Sequence, residues 1–272
     1  MPAPVILVLF IVAALAYGAA SFAYGAEVGE PTPSETPVPM RRRARPLLVI
    51  AAVAHTLLIG LQCTDGDHPL KNIFLATSFG ALVTALGYLG LSRGRRLDPV
   101  GAVIAPVGLI GLALGVAFSS VGGTSLPSGT GIASAHVAFA SAGLAGFTLA
   151  AAIAGMYLVT ERRLRNKQFR PNTGSMSLIG LDRLHHRLVL LVTPVFTLAI
   201  VTGVLWVLQA GGPHVLAGRA FEIAAAAIAW LASVSLLVTR AAWGSQGRKS
   251  AWVTILAFAA VVLIVIWYGV RG

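Results

Sequence analysis

Cysteine is almost absent from this chain of 272 residues, Cys63 being the only one. A single thiol excludes an internal disulfide, a cysteine-ligated zinc site and haem attachment through a C-x-x-C-H segment. Charge is scarce too: Asp, Glu, Lys and Arg make up 11% of the residues, whereas 57% are hydrophobic. Soluble domains carry about 25% charged and roughly 45–50% apolar residues, so a water-soluble enzyme with a polar shell is excluded. The excess of apolar residues excludes intrinsic disorder as well. No Ser-His-Asp arrangement, phosphate-cradling loop or pair of carboxylates at catalytic spacing is present. The expectation is a protein that binds and does not catalyse.

What the chain does have is long apolar runs. A helix crossing a ~30 Å hydrocarbon core needs roughly 20 apolar residues. Eight runs reach that scale, over residues 3–25, 47–63, 71–91, 99–120, 132–159, 188–209, 220–239 and 251–268. These predict an all-α integral membrane protein, a bundle of eight transmembrane helices forming a single transmembrane domain over 1–272. The first run has no basic residue before it and is too long for a signal-peptide core, which predicts a retained helix. A linker over 26–46 is rich in proline (Pro31, Pro33, Pro37, Pro39) and then basic. A basic loop over 160–187 opens as a projection of the fifth helix. It is broken at Pro171, Asn172 and Gly174 and closes with a short interfacial helix, Leu181–Arg187. No internal repeat is evident, so the inverted-repeat signature of many secondary transporters is missing.

The net charge of +11 gains meaning from its placement. Arg41, Arg42, Arg43 and Arg45 fall in the first loop, and Arg93, Arg95 and Arg96 in the third. Arg162, Arg163, Arg165, Lys167, Arg170, Arg183 and Arg187 fall in the fifth, and Arg240, Arg248 and Lys249 in the seventh. Of the 20 Lys and Arg, only Lys71, Arg219 and Arg271 lie on the opposite side. The positive-inside rule then makes the odd-numbered loops cytoplasmic and both termini extracytoplasmic. The charge reports topology and some attraction to the anionic lipid bilayer; it carries no signal for nucleic acid.

Ionisable residues within spans are costly and need a partner or a purpose. His55 lies in the second run and His136 near the outer end of the fifth. A neutral imidazole in an apolar bundle is a common axial ligand of haem iron, and two helices each offering one histidine would hold a planar haem b between them. Ala140, Gly143 and Phe147 follow His136 on one helix face. They would let a flat macrocycle approach the backbone, or serve helix–helix packing. At ~1.5 Å per residue His55 falls near the midplane and His136 near the outer surface. Tilting of the long fifth helix reduces that mismatch in depth. The alternative partners of His136 are His214 and His68, in the sixth and second loops, as secondary outer-side candidates. His185 and His186 read as facing headgroups or a cytosolic partner, Asp182 as a helix cap or partner to an arginine, and Arg219 with Glu222 as an interfacial pair.

Four segments then carry a family resemblance: A-V-A-H-T-L-L-I in the second run, and A-H-V-A-F-A-S-A-G with M-Y-L-V-T-E-R-R-L-R-N-K in the fifth. The others are L-D-R-L-H-H-R-L-V-L-L-V-T-P-V-F-T-L-A-I-V-T-G-V-L-W through the sixth, and A-I-A-W-L with G-R-K-S-A-W-V-T-I-L-A-F bordering the eighth. In this order, over about residues 47 to 268, the chain resembles the CcsA/CcmC-like cytochrome c assembly proteins that handle haem, in their short HemX-like eight-span branch. The resemblance implies a haem-binding protein supporting cytochrome c maturation or haem supply in a bacterial-type cytoplasmic (inner) membrane. Its partners would be cytochrome c assembly proteins or a cytosolic haem-pathway enzyme, and iron would be present through haem only. By the same resemblance His55 and His136 match the family's intramembrane histidines. The tryptophan-rich W-W-D motif of larger members has no counterpart here, and Arg240 stands near a position where the family often has a histidine; both favour a reservoir, sensor or partner-regulating role. Two other readings stay open. One is a regulatory subunit without haem that docks a partner through Arg162, Arg163, Arg165 and Lys167. The other is a transporter of haem or another small molecule.

Overall fold

The structure, a computed structural model, describes residues 3–29, 43–64, 68–69, 72–93, 97–118, 131–167, 176–209, 219–244 and 247–271. Most of the linker lies outside these residues, as does the break at Pro171–Gly174. Eight helices follow one another: α1 (Ala3–Gly29), α2 (Ala44–Thr64), α3 (Ile73–Leu91), α4 (Asp98–Ala117), α5 (Gly131–Arg165), α6 (Leu178–Gln209), α7 (Ala220–Trp243) and α8 (Arg248–Arg271). All eight are long and apolar enough to cross a membrane, and no strand occurs among the described residues. The protein is an all-helical, multi-pass membrane protein. Helix ends follow local chemistry where a cap is visible. Asn72 accepts a hydrogen bond from the Phe74 amide at 2.8 Å to start α3. Gly244 adopts a left-handed φ of 61° to end α7.

One expectation changes in α6. Leu181–Arg187 is not a separate interfacial helix, because α6 runs unbroken from Leu178 into the span. No glycine or proline falls between Leu181 and Thr193, so nothing in that stretch stops the helix. Pro194 sits further along, within a span where neighbouring helices can resatisfy the freed carbonyl.

The chain divides into two compact units, Met1–Gly122 and Gly123–Gly272. In the first, α1 packs against α2 and α4, and α3 against α4 and α2. In the second, α5 packs against α6 and α8, and α7 against α6 and α8. Each unit is therefore a ring of four helices.

Helix α1 buries mostly small residues and turns large ones outward. On α1 the buried positions are Ala13, Ala16, Tyr17, Ala20, Ala23 and Tyr24, while Leu15 is 69% and Phe22 67% exposed. Lipid tails are as apolar as leucine, so large side chains gain nothing by turning inward and small ones let backbones approach. In the first unit the closest approaches fall on α4. A Cβ at Gly108 would lie 2.3 Å from the Tyr17 ring, one at Gly111 2.3 Å from the Ala81 Cβ, and one at Gly115 2.5 Å from the Ser78 Cβ. At Gly111 the obstacle is another Cβ, which cannot rotate away. Gly111→Ala should destabilise the protein by about 1–3 kcal/mol through overpacking, and adding Ala81→Gly should recover most of that loss. Thermal unfolding in detergent of the two variants beside wild type checks both.

Candidate functional site

In the first unit His55 is completely buried. The Tyr17 hydroxyl of α1 lies 3.3 Å from its Nδ1, and the Ser78 hydroxyl of α3 lies 2.9 Å from its Nε2. The Tyr17 ring also meets the imidazole edge-on, with centroids 5.9 Å apart. The α4 glycines make this arrangement possible, since Gly108 backs Tyr17 and Gly115 backs Ser78. His55 thus ties α1, α2 and α3 together. Iron binding at either ring nitrogen would displace a hydroxyl from its hydrogen bond with the imidazole, and a buried hydroxyl left unpaired is costly.

His136, in the second unit, is half-buried near the start of α5. Its Nδ1 lies 2.7 Å from the Ala199 carbonyl oxygen of α6. A carbonyl only accepts, so Nδ1 carries the hydrogen and donates it, and the neutral ring keeps its lone pair at Nε2. No hydrogen bond among the described residues engages Nε2. Three positions on one face of α6 hold the ring: Ala199 through its carbonyl, Gly203 by lacking a Cβ, and Trp206 by stacking. A Cβ at Gly203 would fall 2.8 Å from both Nδ1 and Cε1 of the imidazole. Trp206 lies 6.0 Å away, centroid to centroid, at an interplanar angle of 23°. The guanidinium of Arg219, the residue that precedes α7, sits 4.9 Å over the Trp206 ring. An imidazole with one nitrogen committed to a fixed acceptor and the other retaining its lone pair is the usual arrangement of a metal-ligating histidine.

The small residues after His136 do not form an approach for a macrocycle. A Cβ at Gly143 would lie 2.9 Å from the Phe196 ring, and one at Gly146 2.2 Å from Val192. Phe147 meets Phe196 edge-to-face at 5.1 Å, and Ala140 packs on the same cluster. The stripe is filled by α6 side chains and serves helix packing, because glycine and alanine let the antiparallel α5 and α6 come close.

At the far end of the second unit the structure corrects another expectation. His185 does not face headgroups: it is buried, with Nε2 2.8 Å from the Thr254 hydroxyl of α8. That hydroxyl donates its own hydrogen to the Ser250 carbonyl, so His185 Nε2 is the donor. One turn earlier, Asp182 pairs with Arg240 of α7 at 3.0 Å and accepts a hydrogen bond from the Gly247 amide at 3.2 Å. One carboxylate thereby joins α6 to the end of α7 and the start of α8. The signal for this was present in the sequence. Leu181, Leu184, Leu188 and Val189 are apolar at helical spacing, and Asp182 and His185 fall on the same buried face.

The remaining candidates divide simply. Arg162, Arg163, Arg165 and Lys167 are exposed at the end of α5. His68 is exposed between α2 and α3, and His214 lies outside the described residues. Trp206 was missed as a site residue although it ends the segment T-G-V-L-W; its stacking partner is 70 positions earlier in the chain.

A family model described as Cytochrome C assembly protein matches residues 68–271. The matched stretch contains His136, Trp206, Arg219, Asp182 and Arg240, whereas His55 precedes it. No curated protein and no solved structure matches the chain.

Proposed function

The chain belongs to the cytochrome c assembly protein family, and on that premise we propose that it binds haem b through His136 in support of cytochrome c maturation or haem supply. The observation that carries this reading is the hydrogen bond from His136 Nδ1 to the Ala199 carbonyl, which leaves the Nε2 lone pair for iron. When bound, haem would supply the iron that His136 Nε2 would ligate. The chain's residues do the rest. Ala199 sets the tautomer, Gly203 gives the ring room, and Trp206 covers one of its faces. Backbone and packed side chains on α6 hold all three, so the imidazole is oriented before any ligand arrives.

His55 enters this reading in a different role. It can serve as a second ligand only by releasing Tyr17 or Ser78, and we assign it to holding the first unit together. The role proposed is binding, not catalysis, in a bacterial-type cytoplasmic membrane with the arginine-rich loops on the cytoplasmic face. A second reading is favoured by the exposure of Arg162, Arg163, Arg165 and Lys167: docking of a cytosolic haem-pathway enzyme or another assembly protein at the end of α5.

The test is an absorption spectrum, oxidised and reduced, of the detergent-purified protein, with haem quantified per chain. Near-stoichiometric haem with a Soret band supports the reading. Protein that contains no haem and takes up none when haem is added overturns it in favour of docking.

A further inference from the structure

The start of α6 carries two arginines that turn away from the bundle. Leu181, Asp182, Leu184, His185, Leu188 and Val189 are buried. Arg183 and Arg187, four residues apart, share the opposite face and are exposed, with the half-exposed His186 beside them. Residues at i, i+3 and i+4 are neighbours on a helix surface, and like charges at that spacing repel unless an anion lies between them. Helix α6 supplies no such anion. Asp182 is its only acidic residue, and it sits on the buried face, paired with Arg240. No ion pair among the described residues engages Arg183 or Arg187.

Contacts within the second unit set the depth of this face in the membrane. Helices α6 and α8 run in the same direction, as alternate spans must, and the hydrogen bond from His185 to Thr254 holds them at one level. Two residues before that pair stand Arg183 on α6 and Trp252 on α8. Trp252 is 49% exposed, and an exposed indole on a transmembrane helix belongs at headgroup level. Arg248 and Lys249, exposed one turn earlier on α8, lie further towards the water. Beyond Arg187 the same face of α6 continues as Leu190 and Leu191, 55% and 65% exposed. From water to hydrocarbon the face therefore runs from two guanidiniums and an imidazole to a strip of leucine.

A phospholipid has the same order of chemistry, a phosphate diester followed by acyl chains. Guanidinium takes phosphate oxygens through charge-assisted and often bidentate hydrogen bonds, and an imidazole adds an N–H donor. A zwitterionic headgroup would bring an ammonium beside two guanidiniums with no carboxylate to receive it, so the match is to a headgroup of net negative charge. The basic end of α5 offers no such match, since Arg162, Arg163, Arg165 and Lys167 are spread around their helix. We propose that Arg183 and Arg187, with His186 beside them, form a binding site for the phosphate of an anionic phospholipid whose acyl chains lie on Leu190 and Leu191. The site belongs to the outer surface of the second unit and is independent of the haem reading.

The experiment strips lipid from the full-length protein in detergent and adds back phosphatidylglycerol or phosphatidylcholine with the same acyl chains. Native mass spectrometry counts the lipids bound per chain. Wild type should hold one phosphatidylglycerol about tenfold more tightly than phosphatidylcholine. Arg183→Gln with Arg187→Gln should bring the two lipids level without lowering the melting temperature of lipid-free protein, since both side chains are exposed. Arg248→Gln with Lys249→Gln removes the same charge nearer the water and should leave the preference intact. Equal binding of the two lipids by wild type overturns the proposal with no variant needed. So does an unchanged preference in the Arg183 and Arg187 variant, or an equal loss in the Arg248 and Lys249 variant, which marks diffuse attraction to a basic surface. Displacement of the lipid by inorganic phosphate would mean a free-anion site, and displacement by poly-glutamate a docking face for an acidic protein segment. Either result overturns the assignment to lipid.

Discussion

His136→Ala should purify as a folded protein without a Soret band, with haem per chain falling close to zero while wild type stays near one equivalent. The substitution removes the imidazole at the solvent-accessible start of α5 and leaves the Phe147–Phe196 core of the second unit untouched. Gly203→Ala should act on the same property without altering the ligand. Its Cβ would press on Nδ1 and Cε1 of His136 at 2.8 Å and turn the ring from its acceptor. Loss of such orienting contacts typically costs 10–100-fold in metal affinity, so a haem titration should show a weakened site. His55→Ala should do the reverse, keeping haem but lowering thermal stability, because the Tyr17 and Ser78 hydroxyls lose their shared partner. Each buried hydroxyl left unpaired costs about 1–3 kcal/mol. Folded His55→Ala protein devoid of haem would instead make His55 an iron ligand.

The largest expected loss of stability comes from Asp182→Ala. The carboxylate is 8% exposed and its Arg240 partner 17%, so removing Asp182 leaves a largely buried guanidinium without its counter-charge. Breaking one side of a buried ion pair typically costs about 3–5 kcal/mol. The Gly247 amide loses its acceptor in the same step, and Gly247 begins α8 from a φ of 89°. The expected result is a sharp fall in the melting temperature of detergent-solubilised protein and in the yield of monodisperse material. Asp182→Ala combined with Arg240→Met should recover a substantial part of the loss, since an apolar pair of similar volume removes the stranded charge. No recovery would mean that the Gly247 contact carries more of the stability than the ion pair does.

These outcomes also show how much was legible in the sequence. Eight helices could be counted from the apolar runs because lipid imposes one length on every span and requires each backbone group to be satisfied within it. The arginines fall outside the apolar runs for the same reason: charge is expensive in hydrocarbon. The resemblance carried by the sixth-span segment pointed to the family that the match over residues 68–271 establishes. Helix α6 was harder, because its amphipathic start looks the same whether it lies at an interface or continues into a bundle.

The histidines mark the boundary between the two kinds of information. His55 and His136 are each a single imidazole in an apolar run, whereas His185 adjoins His186 between Arg183 and Arg187, and all three could be named without coordinates. Which of them keeps a nitrogen for a ligand depends on residues 23 to 69 positions away: Tyr17 and Ser78 for His55, Ala199 for His136, Thr254 for His185. Spacing along a helix places a side chain on a face, but a hydrogen bond between helices depends on where two faces meet, and that is set by which glycines and alanines let backbones approach. The sequence by itself therefore determined the eight membrane-spanning helices and the short list of candidate histidines. Only tertiary packing decided that His55 spends both ring nitrogens on neighbouring helices and that His185 is buried with its Nε2 on Thr254, while His136 stays half-buried and is turned by a backbone carbonyl so that one lone pair remains.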